Sequence, residues 1–333
     1  MPRSAFPLKV PLDGYVLEER IGAGRMGAVY RATHLPTSRT VAVKFMALTD
    51  PSADTEEARQ RFLREADVLS RLSHPNVVGY CGSGEVRIRG RDYLYLAMDF
   101  LPELETMGVV HDRLGSLPWL LDRAEELLAG LEYLREHSVV HRDLKPDNLG
   151  IPRDGKLRIL DLGLARILEQ SDLTRPGRTF GSLYYISPEQ LTDARRVDTR
   201  SDLYSVGMVL YELAGGGHPL LGLSWSESAE RTLSGNLPDT PRPLPEGLKP
   251  FVKRLLALDP GARFQTPGEA LAALRELRGA GGLPPSCGEM PAEWGAAPEE
   301  RTVRSSAWIP VAVATLLVVL CLVVGYLFSR WFL

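Results

Sequence analysis

The densest polar chemistry in the chain lies in VVHRDLKPDNLGI, residues 139–151. Asp143, Lys145, Asp147 and Asn148 fall within six positions, between two apolar runs. A carboxylate, an ammonium and an amide held together suit, in turn, a hydroxyl nucleophile, a phosphate and a metal ion. Pro146 has no N–H to donate and excludes a helix through it, so the string reads as a rigid loop. Further on, LRILDLGLAR places Asp161 after an apolar strand-like run and before Gly163. That carboxylate suits a hard cation sharing phosphate ligands, which is Mg2+ chemistry. Either loop alone reads as a polar turn; the pair in this order points to a shared site.

Other segments must bring a nucleotide to these groups. IGAGRMGAVYRA, residues 21–32, carries Gly22, Gly24 and Gly27 in the G-x-G-x-x-G spacing. Glycines allow tight bends and bring backbone N–H groups close to phosphate. A dinucleotide fingerprint would join a strand to a helix. Here YVLEERIG and AVYRATHL both read as strands, so the glycines join a hairpin that can lie over a nucleotide as a flap. In TVAVKFMAL, Lys44 interrupts a strand with β-branched Thr40, Val41 and Val43. An ammonium among apolar strand residues needs a partner unless the strand is an exposed edge. DTEEARQRFLREADVLSRL, residues 54–72, has Phe62, Leu69 and Leu72 at helical spacing, with Glu65 on the same stripe. Buried glutamate is rare without a partner, so a Lys44–Glu65 ion pair is the economical expectation.

The order of Gly-rich loop, VAVK, helix Glu, HRDLKPDN, DLG and SPE resembles the eukaryotic-type (Hanks-type) Ser/Thr protein kinases, in particular bacterial membrane-anchored members. The resemblance covers residues 13–279. It implies an α+β, bilobal fold with a small β-rich N-lobe, about 13–98, and a larger helical C-lobe, about 102–279. It also implies ATP as substrate, with Mg2+, or Mn2+ in its place, as the metal. On that resemblance Ile21, Gly22, Ala23, Gly24, Arg25, Met26, Gly27, Ala28 and Val29 form the ATP-covering loop. Lys44 holds the α/β-phosphates and pairs with Glu65. Asp143 accepts the substrate hydroxyl proton, Lys145 steadies the γ-phosphate, and Asn148 and Asp161 hold the metal. Lys145 in the DLKPxN form is the Ser/Thr pattern.

The hinge is implied at Met98–Leu101, with the backbone of Asp99 and Leu101 on adenine, Met98 behind it, and Ile21, Val29 and Ala42 around the ring. Arg142 would grip an activation-loop phosphate, with Thr174 and Thr179 as the candidate phosphosites; Ser182 would instead touch Asp143. Glu189 and Arg263 would form a buried ion pair, and Asp202 would hold the catalytic loop's backbone from an otherwise apolar helix, 202–213. Thr266–Glu269 reads as a capping box with Pro267 at the first helical position. Three positions depart from the common pattern: Leu162 replaces Phe after Asp161, Met26 replaces Phe at the loop tip, and the stretch after the hinge lacks the usual Gly-Gly, leaving Glu105 as a candidate ribose contact.

The function expected is ATP-dependent transfer of a γ-phosphoryl group to Ser/Thr hydroxyls of proteins, with autophosphorylation by self-association. The alternative from another class is a nucleotide-binding pseudokinase scaffold. Composition fits a packed protein, at 44% hydrophobic and 24% charged residues. The net charge of −3 gives no general basic field, so no nucleic-acid partner is expected. Only six of the 39 basic residues are Lys, so Lys44 and Lys145 are unlike filler. Cys81, Cys287 and Cys321 have no metal or disulfide spacing.

Residues 1–12 read as a tail and 280–308, rich in Gly, Pro and Ala, as a flexible linker. Residues 309–328 contain 20 residues without a charge, flanked by aromatics, and residues 329–333 read as a short tail. A 20-residue helix spans about 30 Å, the thickness of a bilayer core. A single-pass C-terminal anchor is therefore expected at the cell membrane. Arg301 and Arg304 before the span, against Arg330 after it, place the kinase-like part on the cytoplasmic side. Deleting residues 308–333 should move the protein from the membrane pellet to the soluble fraction; unchanged fractionation would rule out the anchor.

Overall fold

The computed structural model describes residue 8 and residues 11–24, 27–47, 53–162, 184–193 and 197–285. Six antiparallel strands form the first sheet: β1 (Pro11–Leu12), β2 (Tyr15–Gly24), β3 (Gly27–His34), β4 (Arg39–Ala47), β5 (Tyr80–Ile88) and β6 (Arg91–Asp99), in the order β1-β2-β3-β4-β6-β5. Alternating residues supply one packed face: Leu17, Tyr30, Val43, Phe45, Tyr95 and Ala97 form its core. Central β4 is buried on both sides, with Val41, Ala42, Val43, Phe45 and Met46 all inside. Helix α1 (Ala53–Ser70) packs on β5 through Phe62, Ala66 and Leu69.

The glycine-rich segment lies mostly within strands. β2 and β3 pair from Tyr15↔His34 to Gly24↔Gly27, with a register shift between Arg20 and Gly22 that puts Ile21 at a bulge. Gly27 has φ +153°, and a Cβ there would fall 1.6 Å from the Phe45 carbonyl oxygen. No other residue fits that close approach of β3 to β4.

After the sheet the chain becomes mainly helical. The helices are α2 (Met107–Leu114), α3 (Leu117–Glu136), α4 (Pro188–Thr192), α5 (Thr199–Gly215), α6 (Trp225–Ser234), α7 (Lys249–Leu255) and α8 (Pro267–Gly279). A small antiparallel sheet, β7 (Glu105–Thr106), β8 (Leu149–Ile151) and β9 (Arg158–Ile159), lies in the order β7-β8-β9. This division into a β-sheet lobe and a helical lobe is the bilobal architecture. Among the described residues no helix is long and apolar enough to cross a membrane; residues 309–328 lie outside them.

Helix α5 is the axis of the helical part. Residues 201–210 are all buried, and α3 and α7 pack against it. The helix is longer than the 202–213 expected. Asp198 caps its N-terminus by accepting the Arg200 N–H at 2.8 Å, and Gly216, at φ +76°, ends it. At α8, Thr266 accepts the Glu269 N–H at 3.1 Å, but the Glu269 carboxylate takes the N–H of Gln265 at 2.8 Å rather than that of Thr266. The reciprocal half of the expected capping box is therefore displaced by one residue.

One ion pair lies inside this helical core. Arg263, with no exposed side-chain surface, donates to Glu189 Oε1 at 2.7 Å and Oε2 at 2.9 Å. Its other N–H groups reach the carbonyls of Ala257, Arg200 and Leu258, so all five donors are used. Burial raises the Glu189 pKa; the bonds from Arg263 and Ser201 outweigh it and hold the carboxyl below its ordinary range. Because the folded pKa is lowered, the stabilisation is present above the ordinary carboxylate range and is lost as pH falls through the folded value. Glu189→Gln leaves a buried guanidinium without its counter-charge and should destabilise the fold by about 3–5 kcal/mol near neutral pH. It should also flatten the loss of stability on acidification below about pH 4. Urea titration across pH checks both; a loss under about 1 kcal/mol would show that the pair is solvated.

Candidate active site

The HRDLKPDN string folds as a loop whose backbone is held from α5. Asp202 accepts the His141 N–H through Oδ2 and the Arg142 N–H through Oδ1, each at 2.8 Å. Burial raises the Asp202 carboxyl above its ordinary pKa, opposed by the His141 ring and these two N–H bonds. Arg142 has φ +65°, an arrangement that needs such support in a residue with a Cβ. Gln190 adds to it by donating to the Arg142 carbonyl at 2.9 Å. Pro146 does not exclude helical geometry altogether: it opens a single 3-10 turn, Pro146–Asn148, where its fixed φ fits and its missing N–H is not needed.

The turn folds the polar residues onto one another. Asn148 donates through Nδ2 to the Asp143 carbonyl at 2.7 Å and to Asp143 Oδ2 at 3.1 Å. Lys145 Nζ lies 3.4 Å from the same Asp143 oxygen. Both amide protons of Asn148 are thus spent on Asp143.

Asp161 is brought in by the chain running antiparallel beside this turn. The Leu160 N–H donates to the Asn148 carbonyl at 2.9 Å. The buried His141 ring accepts the Asp143 N–H at Nδ1 (3.3 Å) and donates from Nε2 to the Leu160 carbonyl at 2.8 Å, so one tautomer satisfies both bonds. Asp161 itself has φ +52°. Its Oδ1 accepts Lys44 Nζ at 2.7 Å, which joins the first sheet to the catalytic-loop side. Lys44 thus has Asp161 as one partner. Glu65 lies within α1, but its side chain is outside those described, so the expected Lys44–Glu65 contact is too.

The fit of a metal can be judged from the donors. Among the described residues the Asn148 amide oxygen and Asp161 Oδ2 carry no hydrogen bond, and both are hard oxygens of the type Mg2+ takes. Among the described residues no group of three or more His, Cys, Asp or Glu could hold an ion unaided. These two donors are of the kind that would hold Mg2+, with its remaining ligands coming from elsewhere.

The sheet presents the other expected residues. Register places Gly22 opposite Val29, Val29 opposite Lys44, Arg31 opposite Ala42, Lys44 opposite Leu96 and Ala42 opposite Met98. Ala42 and Met98 are buried, Ala28 and Val29 half-buried, and Ile21 exposed. Gly24 ends β2, and the Ala23 side chain, Arg25 and Met26 lie outside the described groups. The Asp99 N–H donates to the Gly79 carbonyl at 2.8 Å, and Leu101 follows the end of β6. Glu105, the candidate ribose contact, accepts two bonds from Arg113, of 2.6 and 3.1 Å. Cys81 stands at the surface beside the hinge, its Sγ 3.6 Å from Asp99 Oδ1. Partial burial of the sulfur and the Asp99 charge push the thiol up to about 11, with Arg39 opposing. Thr174, Thr179 and Ser182 lie outside the described residues.

The protein kinase domain model matches residues 15–273. This chain belongs to the Hanks-type Ser/Thr protein kinase family. The chain is 35% identical over 264 residues to the DNA damage-responsive serine/threonine-protein kinase RqkA of Deinococcus radiodurans, covering 79% of this chain and 39% of that relative. It is 33% identical over 297 residues to the serine/threonine-protein kinase PknA of Mycobacterium tuberculosis, covering 87% and 67%. To the serine/threonine-protein kinase PknJ of Mycobacterium bovis it is 34% identical over 292 residues, covering 82% and 47%. The kinase chain thus spans about two fifths of RqkA and two thirds of PknA.

Three groups of this kinase site carried no role in the sequence analysis. His141 was visible in the HRD string, and its two ring bonds depend on the fold. Gln190 follows SPE directly, and its bond to Arg142 joins segments 48 positions apart. Tyr80, whose hydroxyl accepts the Leu162 N–H at 3.2 Å, reads in sequence as an ordinary core aromatic. Asp202→Asn keeps the shape of the anchor but turns an amide N–H toward one of the two backbone donors. It should destabilise the protein by about 1–3 kcal/mol, read by urea unfolding; an unchanged midpoint would show that the loop does not depend on this carboxylate.

Proposed function

We propose that the protein is an ATP-dependent kinase that phosphorylates Ser and Thr hydroxyls of proteins. The observation that carries this reading is the convergence of Asp143, Lys145 and Asn148 on one turn beside Asp161 and Lys44. Phosphoryl transfer demands in-line placement and charge neutralisation more than covalent help. Asp143 would accept the hydroxyl proton at its carboxylate while Asn148 and Lys145 keep that group oriented. Lys145 Nζ, beside the same oxygen, would meet negative charge on the transferred group. Lys44 would leave Asp161 to hold the nucleotide's α/β-phosphates, freeing the carboxylate for the metal. Asn148 and Asp161 would hold Mg2+, which would supply positive charge to offset the negative charge of the phosphates. The β2–β3 hairpin would cover the phosphates, and Ala42, Val29 and Met98 would enclose the adenine.

A scaffold without catalysis would ordinarily lack one of these groups, and Lys44, Asp143, Asn148 and Asp161 are all in place. By the same reading, Thr174 and Thr179 are autophosphorylation sites reached by self-association, and residues 309–328 anchor the kinase at the membrane with its catalytic part cytoplasmic. The full chain incubated with labelled ATP and a basic test protein should transfer phosphate, and Asp143→Asn should lower kcat about 10²–10⁴-fold. Mass spectrometry of the same incubation should find phosphate within residues 169–182. A wild-type chain as silent as Asp143→Asn, across several substrates and with both Mg2+ and Mn2+, would overturn the enzyme reading.

A further inference from the structure

Residues 76–80 run beside the strand that leads to Asp161. The Ile159 N–H donates to the Asn76 carbonyl at 2.8 Å, the Val78 N–H to the Ile159 carbonyl at 3.0 Å, and Asn76 Nδ2 to the Leu157 carbonyl at 3.0 Å. Beyond Val78 this backbone ladder ends, because the chain turns into β5 at Tyr80. One further bond spans the gap through a side chain: the Leu162 N–H donates to the Tyr80 hydroxyl at 3.2 Å, in a buried environment. The Tyr80 ring is itself fixed, since its backbone pairs with Met98 across β5 and β6 and the residue is buried.

Between this bond and the His141 bond to the Leu160 carbonyl sits a single residue, Asp161. It adopts φ +52°, a region in which a residue with a Cβ is strained unless its neighbours hold it there. Leu162 is buried, yet as an aliphatic side chain it offers less contact area than an aromatic ring would. The hydrogen bonds on either flank therefore carry much of the task of fixing the turn. Burial and the Asp161 charge raise the Tyr80 pKa, so the phenol stays protonated.

Resting on the kinase reading, we propose that Tyr80 is a positioning residue for phosphoryl transfer: by accepting the Leu162 N–H it holds Asp161 in the left-handed conformation that points its carboxylate at Lys44 and the metal. Without the hydroxyl, the buried Leu162 N–H has no acceptor, and the turn populates arrangements in which Asp161 is misplaced. Apparent affinity for Mg2+ then falls by the fraction of molecules that remain competent.

The test uses the full chain and Tyr80→Phe, which removes one oxygen and keeps the ring. Without nucleotide, amide exchange in a peptide covering Asp161 and Leu162 should be at least fivefold faster in the variant. The Mg2+ concentration giving half of the thermal stabilisation by ADP should rise about tenfold, while stabilisation by ADP without metal stays the same. Turnover should fall at limiting Mg2+ and return to within twofold of wild type at saturating Mg2+. Equal exchange in the two proteins, or a loss of turnover that added Mg2+ does not repair, overturns the proposal. So does wild-type protein whose Leu162 amide exchanges like an exposed one, a result that needs no folded variant. Exchange and the ADP shift require no turnover, so a wild type that failed to phosphorylate anything would sink the kinase reading and leave these measurements to decide on Tyr80.

Discussion

A carboxylate with no route to solvent sets the geometry of the catalytic loop. Asp202 projects from a helix buried on all sides, and its two oxygens each take one backbone N–H from consecutive residues, His141 and Arg142. Leaving either oxygen unmatched in that setting is costly, so the loop has little choice of path. The path forces Arg142 into a left-handed conformation and turns the His141 ring inward, where it reaches the Leu160 carbonyl. Asp143, Lys145 and Asn148 then follow from the 3-10 turn that Pro146 begins.

The second carboxylate, Asp161, depends on this arrangement and links it to the sheet. It is strained, flanked by hydrogen bonds, and paired with Lys44 117 positions earlier in the chain. Two of the links between the sheet and the helical part lie close together: the ladder between residues 76–78 and 157–159, and the Lys44–Asp161 contact. The ladder is backbone, indifferent to ligands. The ion pair is not, because phosphate or a cation competes for both partners. One junction is constant and the other is exchangeable.

Much of this was legible in the chain itself. The alternation around the glycine-rich segment gave two strands, Asp202 sat in an apolar helical run, and the order of motifs gave the family. What was not legible depends on distance in sequence. Spacing offered Lys44 a partner on the amphipathic stripe of α1, but it could not show that Asp161, 117 positions away, also comes within 2.7 Å of its Nζ. Pro146 reads as a breaker because its effect on a long helix is clear, while a one-turn 3-10 element needs only three residues. Glu269 matched a capping pattern, but whether its carboxylate bonds Thr266 or Gln265 depends on how the preceding chain approaches. Tyr80 gave no signal, since a tyrosine in a strand is ordinarily packing, and its hydroxyl matters only because the turn at Leu162 lies within reach.

The thiol at Cys81 bears on how the protein could be labelled chemically. It stands at the surface beside the end of β6, within reach of a small alkylating reagent such as an acrylamide or a chloroacetamide. A thiol held near 11 is almost entirely protonated in the cell, and alkylation requires the thiolate. Alkylating reagents aimed there would form adducts slowly despite good access, because partial burial and the nearby Asp99 carboxylate keep the sulfur protonated.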